Sequence, residues 1–173
     1  DNENFYAVQL FTADPEIAFK SVSEALKFNP DVIDLNCGCP VPKVVKNGAG
    51  SALMKDLPLL KEIVAALHSG AAAAAAPPAI SVKIRSGWDS SSINYCRAAE
   101  TAADAGAAMI SLHARTRVQG YSGRADWTHI KTLKQAVSVP VIGSGDLFTP
   151  QAALEMLSTT GCDGVMFSRG AMG

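Results

Sequence analysis

Two rhythms of apolar and polar positions take turns along the chain. Short apolar runs rich in β-branched residues, at 6–11 (YAVQLF), 32–35 (VIDL), 80–84 (ISVKI), 109–113 (MISLH), 139–142 (VPVI) and 165–168 (VMFS), predict strands. Between them, apolar residues recur at helical spacing. Ile17, Ala18, Val22, Ala25 and Leu26 follow the start signal Asp14-Pro15-Glu16, and Leu60, Ile63, Val64 and Leu67 follow Asp56. Further helices are predicted over 91–105, stopping at Gly106, over 127–136, and from Thr149-Pro150 to Gly161.

Such alternation predicts a parallel sheet covered by helices, an α/β fold. Doubly wound sheets and (β/α)8 TIM barrels both fit it. Two features favour the barrel. The first strand is not followed by G-x-G-x-x-G, and polar residues close strand after strand: Gln9, Asn36, Lys83 to Arg85, His113, Ser144 to Asp146, and Ser168-Arg169. Barrel active sites are built from that rim, whereas an open sheet uses only the strands near its switch point. Six strands cannot close an eight-strand barrel, so six of eight βα units are expected here.

Composition narrows the class. Of 173 residues, 48% are hydrophobic and 18% charged, which excludes a disordered chain. Fifteen Lys plus Arg against 16 Asp plus Glu exclude a uniformly basic nucleic-acid coat, although not a local basic patch. Four cysteines do not make a disulfide scaffold, and a reducing, cytoplasmic setting is expected. Nothing approaches the roughly 18 apolar residues of a membrane span. From the acidic and polar opening DNENF, no signal peptide is expected at this start. The alanine run at 71–76 before Pro77-Pro78 carries no functional reading.

The sharpest stretch is DLNCGCP at 34–40, where a strand ends in a tight loop bearing two thiols. No metal is expected, because Cys-x-Cys lacks a second pair. A loop thiol can pack, act as a nucleophile once a base stabilises its thiolate, or donate a proton in the form that prevails at neutral pH. Lys83 stands inside an apolar strand, where an unpaired ammonium is costly. The loops Gly143-Ser144-Gly145-Asp146 and Ser168-Arg169-Gly170 occupy places where barrels present backbone N–H groups to a phosphate. Lys43, Lys46, Arg85, Arg115, Arg117 and Arg124 fall in rim loops, with Trp88 and Tyr121 as candidate base-stacking platforms.

Asn36, Gly38, Cys39 and Pro40 match the N-x-G-C-P signature of the tRNA-dihydrouridine synthases, followed by a Lys- and Gly-rich loop. The chain also resembles that family, in style its bacterial B-type branch, at VQL (8–10), SVKIRSGWD (81–89), HARTRVQGYSGRADW (113–127), VIGSGD (141–146) and GCDGVMFSRGA (161–171). The resemblance implies a barrel lacking its first two strands across 1–173, without the family's C-terminal helical RNA-binding domain. It implies FMN in the barrel mouth, reduced by NADPH, and tRNA as partner, with hydride going to carbon 6 of a uracil and a proton to carbon 5. The family's acid is the Cys before Pro, here Cys39, while Cys37 falls at a variable position. The flavin contacts implied are Gln9, Lys83 and His113, with the phosphate held at Ser144, Gly145, Asp146, Ser168 and Arg169. Asn36, Arg115 and Lys43 are the implied substrate contacts, Asn36 reaching a uracil flipped out of its stack. Ser144 and Ser168 depart from the family's usual Asn and Gly, which backbone donation tolerates.

Three rival readings remain at this stage. An FMN barrel acting on a free pyrimidine, like dihydroorotate dehydrogenase, would share the Lys and the phosphate loops. A barrel remnant could bind RNA without catalysis. A phosphosugar aldolase or isomerase could use Lys83 as a Schiff base, but leaves the Cys-Pro loop without a task.

Overall fold

In a computed structural model, which describes residues 5–172, the predicted strands form one six-stranded sheet. Residues 1–4, on which most of the DNENF reading falls, and residue 173 lie outside that range. The strands are β1 (Ala7–Leu10), β2 (Val32–Cys37), β3 (Ala79–Arg85), β4 (Met109–His113), β5 (Val141–Ser144) and β6 (Gly164–Met166). The helices are α1 (Pro15–Leu26), α2 (Pro42–Val45), α3 (Leu57–Ala71), α4 (Tyr95–Asp104), α5 (Thr128–Ala136) and α6 (Pro150–Thr160). Short 3₁₀ segments lie at Gly50–Lys55 and Arg169–Ala171.

Every pairing is parallel, and the spatial order of the strands is their order in the chain. A doubly wound sheet reverses that order at its switch point; a barrel never does. The fold is therefore a run of βα units of a (β/α) barrel.

The helix starts follow local chemistry. Asp14 accepts from the N–H groups of Glu16 and Ile17, Asp56 from Leu59, and Thr149 from Ala152, each beside a proline in the first turn. Some bounds differ from the sequence pattern. The helix expected from 91 begins at Tyr95, because the Asp89 carboxylate binds the Ser91 N–H and the hydroxyls of Ser91 and Ser92, holding a turn there. The strand expected over 139–142 runs Val141–Ser144, starting after Pro140, which has no N–H to donate. The α2 turn and the 3₁₀ segment after it were not signalled by periodicity.

The two faces of the sheet differ. Ile33, Leu35 and Cys37 of β2, Ile80, Val82 and Ile84 of β3, and Ile110 and Leu112 of β4 join the helices in one hydrophobic core. Each such side chain, fully buried, contributes about 1.5–3 kcal/mol relative to exposure. The opposite face carries mostly polar residues in rows set by the register. Gln9, Asp34, Ser81 and Met109 form one row, and Asn36, Lys83, Ser111 and Ile142 the next. Arg85, His113, Ser144 and Met166 form the third, at the mouth.

Candidate active site

The upper rows and the strand-end loops enclose a cleft of about 390 Å³. Of the residues singled out from sequence, Gln9, Asn36, Cys39, Lys83, His113, Ser144 and Ser168 line it. A smaller recess shares His113, Ser144 and Ser168 and adds Gly145, Asp146 and Arg169. Lys43 lies apart, exposed on α2. Among residues given less weight, Arg85, Tyr121, Pro40 and Met166 also line the cleft.

The two loop thiols have opposite fates. Cys37 is fully buried on the helix side, where burial first and the Asp34 charge second push its pKa well up. Cys39 is half-buried and faces the cleft. The turn between them is pinned from several sides. Asn36 Oδ1 accepts from the N–H groups of Gly38 (3.1 Å) and Cys39 (2.9 Å), and Arg85 Nε donates to the Gly38 carbonyl at 2.7 Å. The Ser51 N–H donates to the Cys39 carbonyl at 3.1 Å. Gly50 (φ +63) makes that approach feasible, since a Cβ there would stand 2.9 Å from the Cys39 carbonyl oxygen.

Beneath the turn, Asn36 Nδ2 donates to Gln9 Oε1 at 2.9 Å, and Gln9 Nε2 donates to Asp34 Oδ2 at 2.7 Å. Asp34 also accepts from the Ser81 hydroxyl. Burial raises the Asp34 pKa, against the hydrogen bonds from Ser81 and Gln9 and the charge of Lys83. Lys83 is half-buried, and its pKa is lowered by burial and then by Arg85. Its ammonium makes no ion pair among the described residues. Asp34 and Ser81 were missed in the sequence reading. Their signal was present as polar residues at alternate positions of apolar strands.

His113 is buried, and its pKa is pushed down to about 3, by burial first and then by the charges of Arg85, Lys83 and Arg115. Its imidazole is therefore neutral at ordinary pH. Arg115 Nη1 lies 3.4 Å from His113 Nε2. A guanidinium cannot accept, so Nε2 is the bare nitrogen and Nδ1 carries the proton.

Two arginines that read as rim cations are buried clamps. Arg115, 2% exposed, donates to both Asp146 oxygens (2.7 and 2.9 Å) and to the carbonyls of Ser122 and Gly123. Arg85, besides Gly38, donates to the carbonyls of Thr116 and Gly120. Lys46 and Arg124 are exposed, as Lys43 is. Trp88 is already partnered by cations, with Lys55 4.5 Å and Arg117 4.7 Å from its ring centre.

The recess is formed where the loops after β5 and β6 meet. Gly170 sits against the first loop so closely that a Cβ would fall 2.0 Å from the Leu147 carbonyl oxygen. Asp146 holds the Ala125 N–H at 2.7 Å, and Trp127 Nε1 donates to the Gly145 carbonyl at 3.0 Å. Burial works to raise the Asp146 pKa, but the bonds from Ala125 and Arg115 outweigh it and hold the carboxyl low. Arg169 spans Tyr121 and Phe148, 4.2 and 5.5 Å from their ring centres, and stays 43% exposed. Small residues, a half-exposed cation whose only ion-pair partner among the described residues is Asp146, at 4.0 Å, and a cradle open to solvent fit a phosphate group. No described helix is long and apolar enough to cross a membrane.

Fold and site together define a (β/α)-barrel domain with a thiol, an amine and a neutral imidazole in one mouth. Over residues 1–173 the chain matches the model of the family described as dihydrouridine synthase (Dus), and it belongs to that family. It is 42% identical over 171 residues to "Probable tRNA-dihydrouridine synthase 1" of Synechocystis sp., covering 99% of this chain and 47% of that protein. It is 40% identical to "tRNA-dihydrouridine synthase B" of Shewanella oneidensis, covering 99% and 52%. The chain thus spans about half the length of the curated relatives it matches. Among solved structures, phosphonopyruvate hydrolase superposes with TM-score 0.62 at 12% identity, covering 96% of this chain and 54% of that one. 2,3-Dimethylmalate lyase gives 0.61 at 14%, covering 96% and 54%, and at such identities the likeness is one of fold.

Proposed function

We propose that the protein reduces a specific uridine of tRNA to 5,6-dihydrouridine in the cytoplasm, with FMN as cofactor, NADPH as reductant and Cys39 as proton donor. One observation carries the reading. The Cys39 thiol shares its cleft with Gln9, Lys83 and His113, while Cys37 is sealed on the other face of the sheet. FMN, when bound, supplies the hydride that goes to carbon 6 of the uracil.

The chain's own residues divide the remaining work. Gln9 keeps one amide hydrogen and one lone pair beyond its bonds to Asp34 and Asn36, which suits a flavin's pyrimidine edge. Lys83, without a counter-charge within ion-pair distance among the described residues, offers its ammonium to an anionic ring. His113 presents Nδ1–H as a neutral donor. The Ser144 to Asp146 loop and Ser168-Arg169 receive the phosphate. Asn36 has its second Nδ2 hydrogen for a uracil carbonyl, and Cys39 delivers its proton to carbon 5. Lys43, with Lys46 and Arg124, meets the RNA backbone, whose binding then weakens with salt. Arg115 enters by holding Asp146 and the 122–123 carbonyls, since its Nε and Nη2 are committed to them.

Mass spectrometry of tRNA from cells lacking the gene for this chain tests the reading. One dihydrouridine should vanish, and return with the wild-type or Cys37→Ala gene. Cys39→Ala should slow its formation about 10²–10⁴-fold, the usual worth of a positioned acid. Full restoration by Cys39→Ala, or an unchanged tRNA profile in the deletion strain, would overturn it. Turnover of free uracil or orotate in place of tRNA would favour the free-pyrimidine rival.

A further inference from the structure

Asp34 is the buried charge that the proposed chemistry leaves without a task. It sits 7% exposed on the inner face of β2, in register with Gln9 on one side and Ser81 on the other. It touches neither the Cys39 loop nor the cleft, yet a directed chain of hydrogen bonds joins it to both. Its Oδ2 receives Gln9 Nε2. That contact fixes which end of the Gln9 amide looks down, because an amide nitrogen donates and does not accept. Gln9 Oε1 is thereby turned to Asn36, where it receives Nδ2. With Nδ2 so engaged, Asn36 Oδ1 is left facing the loop, where it takes the N–H groups of Gly38 and Cys39.

Either amide could rotate half a turn within its own covalent geometry, and each rotation would set donor against donor further up. The acceptor at the root selects one polarity for the whole chain. Ser81 braces that root from β3 by donating to the other oxygen.

We infer that Asp34 is a positioning residue, which acts through Gln9 and Asn36 to hold the Cys39 loop in the arrangement that aims its thiol into the cleft. Its value for turnover rests on the reading of Cys39 as proton donor; the positioning itself does not.

The test measures alkylation of the purified protein by iodoacetamide under native conditions, resolved by peptide mass spectrometry. Cys37 serves as internal reference, because it becomes reactive only if the sheet itself opens. Asp34→Ala should change the Cys39 rate roughly 2- to 10-fold, the size expected for loss of one net hydrogen bond, while Cys37 stays protected. Asn36→Ala should produce the same change, and the double variant no more than either alone, as for members of one network. Asp34→Asn, which keeps an acceptor oxygen, should restore the wild-type rate. Ser81→Ala should leave it near wild type. Should Asp34→Ala fail to fold, Gln9→Leu cuts the same chain on the edge strand and should reproduce the Cys39 change.

A wild-type Cys39 rate in Asp34→Ala or Gln9→Leu would overturn the inference, as would a parallel rise at Cys37, which would mark a purely structural carboxylate. A slow Cys39→Ala enzyme beside an unaffected alkylation rate would sink this inference and leave the proposed reaction standing. The converse pair of results would do the reverse.

Discussion

The two faces of this sheet are made from neighbouring residues of the same strands and obey different rules. On the helix side, Leu35 and Ile84 sit at zero exposure among apolar neighbours, and the face carries hydrophobic burial. On the barrel side, one residue away along each strand, Asn36 and Lys83 share a row in which polar groups face polar groups or the cleft. The helix side concentrates stabilisation. The barrel side accepts costs, a desolvated amine and a neutralised imidazole, that only a bound group would repay. Cys37 and Cys39 condense the contrast into one loop.

The sharpest way to break this division is a paired substitution. Leu35→Ala should cost about 2–5 kcal/mol of unfolding free energy by urea titration, through lost burial and the cavity left behind. Lys83→Met should cost far less, or stabilise, because it removes a partly desolvated cation that has no ion-pair partner among the described residues. Equal losses would erase the distinction between the faces. A second probe addresses the mouth. Gly50→Ala forces a side chain into a left-handed conformation and against the Cys39 carbonyl, and should cost about 1–3 kcal/mol while loosening the thiol loop.

A gentler probe is pH. His113 stays neutral in the folded protein down to about 3, whereas the unfolded chain takes up that proton near the ordinary histidine value of 6.5. Between those limits the unfolded state binds more protons, so stability should fall as pH drops from about 6.5 towards 3. The raised Asp34 pKa pulls the other way above 3.8, so the measurement is the difference between wild type and His113→Gln. The variant should show the shallower fall between pH 7 and pH 5 in urea midpoints. The smallest effect belongs to Ser111→Ala. That hydroxyl is buried on the barrel side with no hydrogen-bond partner among the described residues, and its removal should shift stability by no more than about 0.5 kcal/mol, in either direction.

Strand order and helix starts were legible because periodicity and capping are local. The polar strand ends Gln9, Asn36, Lys83 and His113 were legible too, whereas Asp34 and Ser81, deeper in the same alternation, were passed over. The aim of Cys39 was not legible from periodicity. By strand parity, residue 39 belongs with 33, 35 and 37 on the helix side. Only the turn at Gly38, held by Asn36 and Arg85, carries it to the cleft, and the family motif rather than spacing singled it out. Arg85 and Arg115 misled as rim cations for a related reason. Apart from the Asp146 carboxylate on Arg115, their partners are backbone carbonyls of Gly38, Thr116, Gly120, Ser122 and Gly123, groups that every residue owns and no pattern of side chains reveals.

The bond from the Trp127 indole to the Gly145 carbonyl has a practical corollary. The sequence holds two tryptophans, and this one is tethered to the loop of the phosphate-sized recess, while Trp88 is flanked by cations on another part of the rim. With Trp88→Phe in place, the remaining ultraviolet emission becomes an optical gauge of that single loop. Titrating an anion into the recess could then be followed by fluorescence, with no label attached.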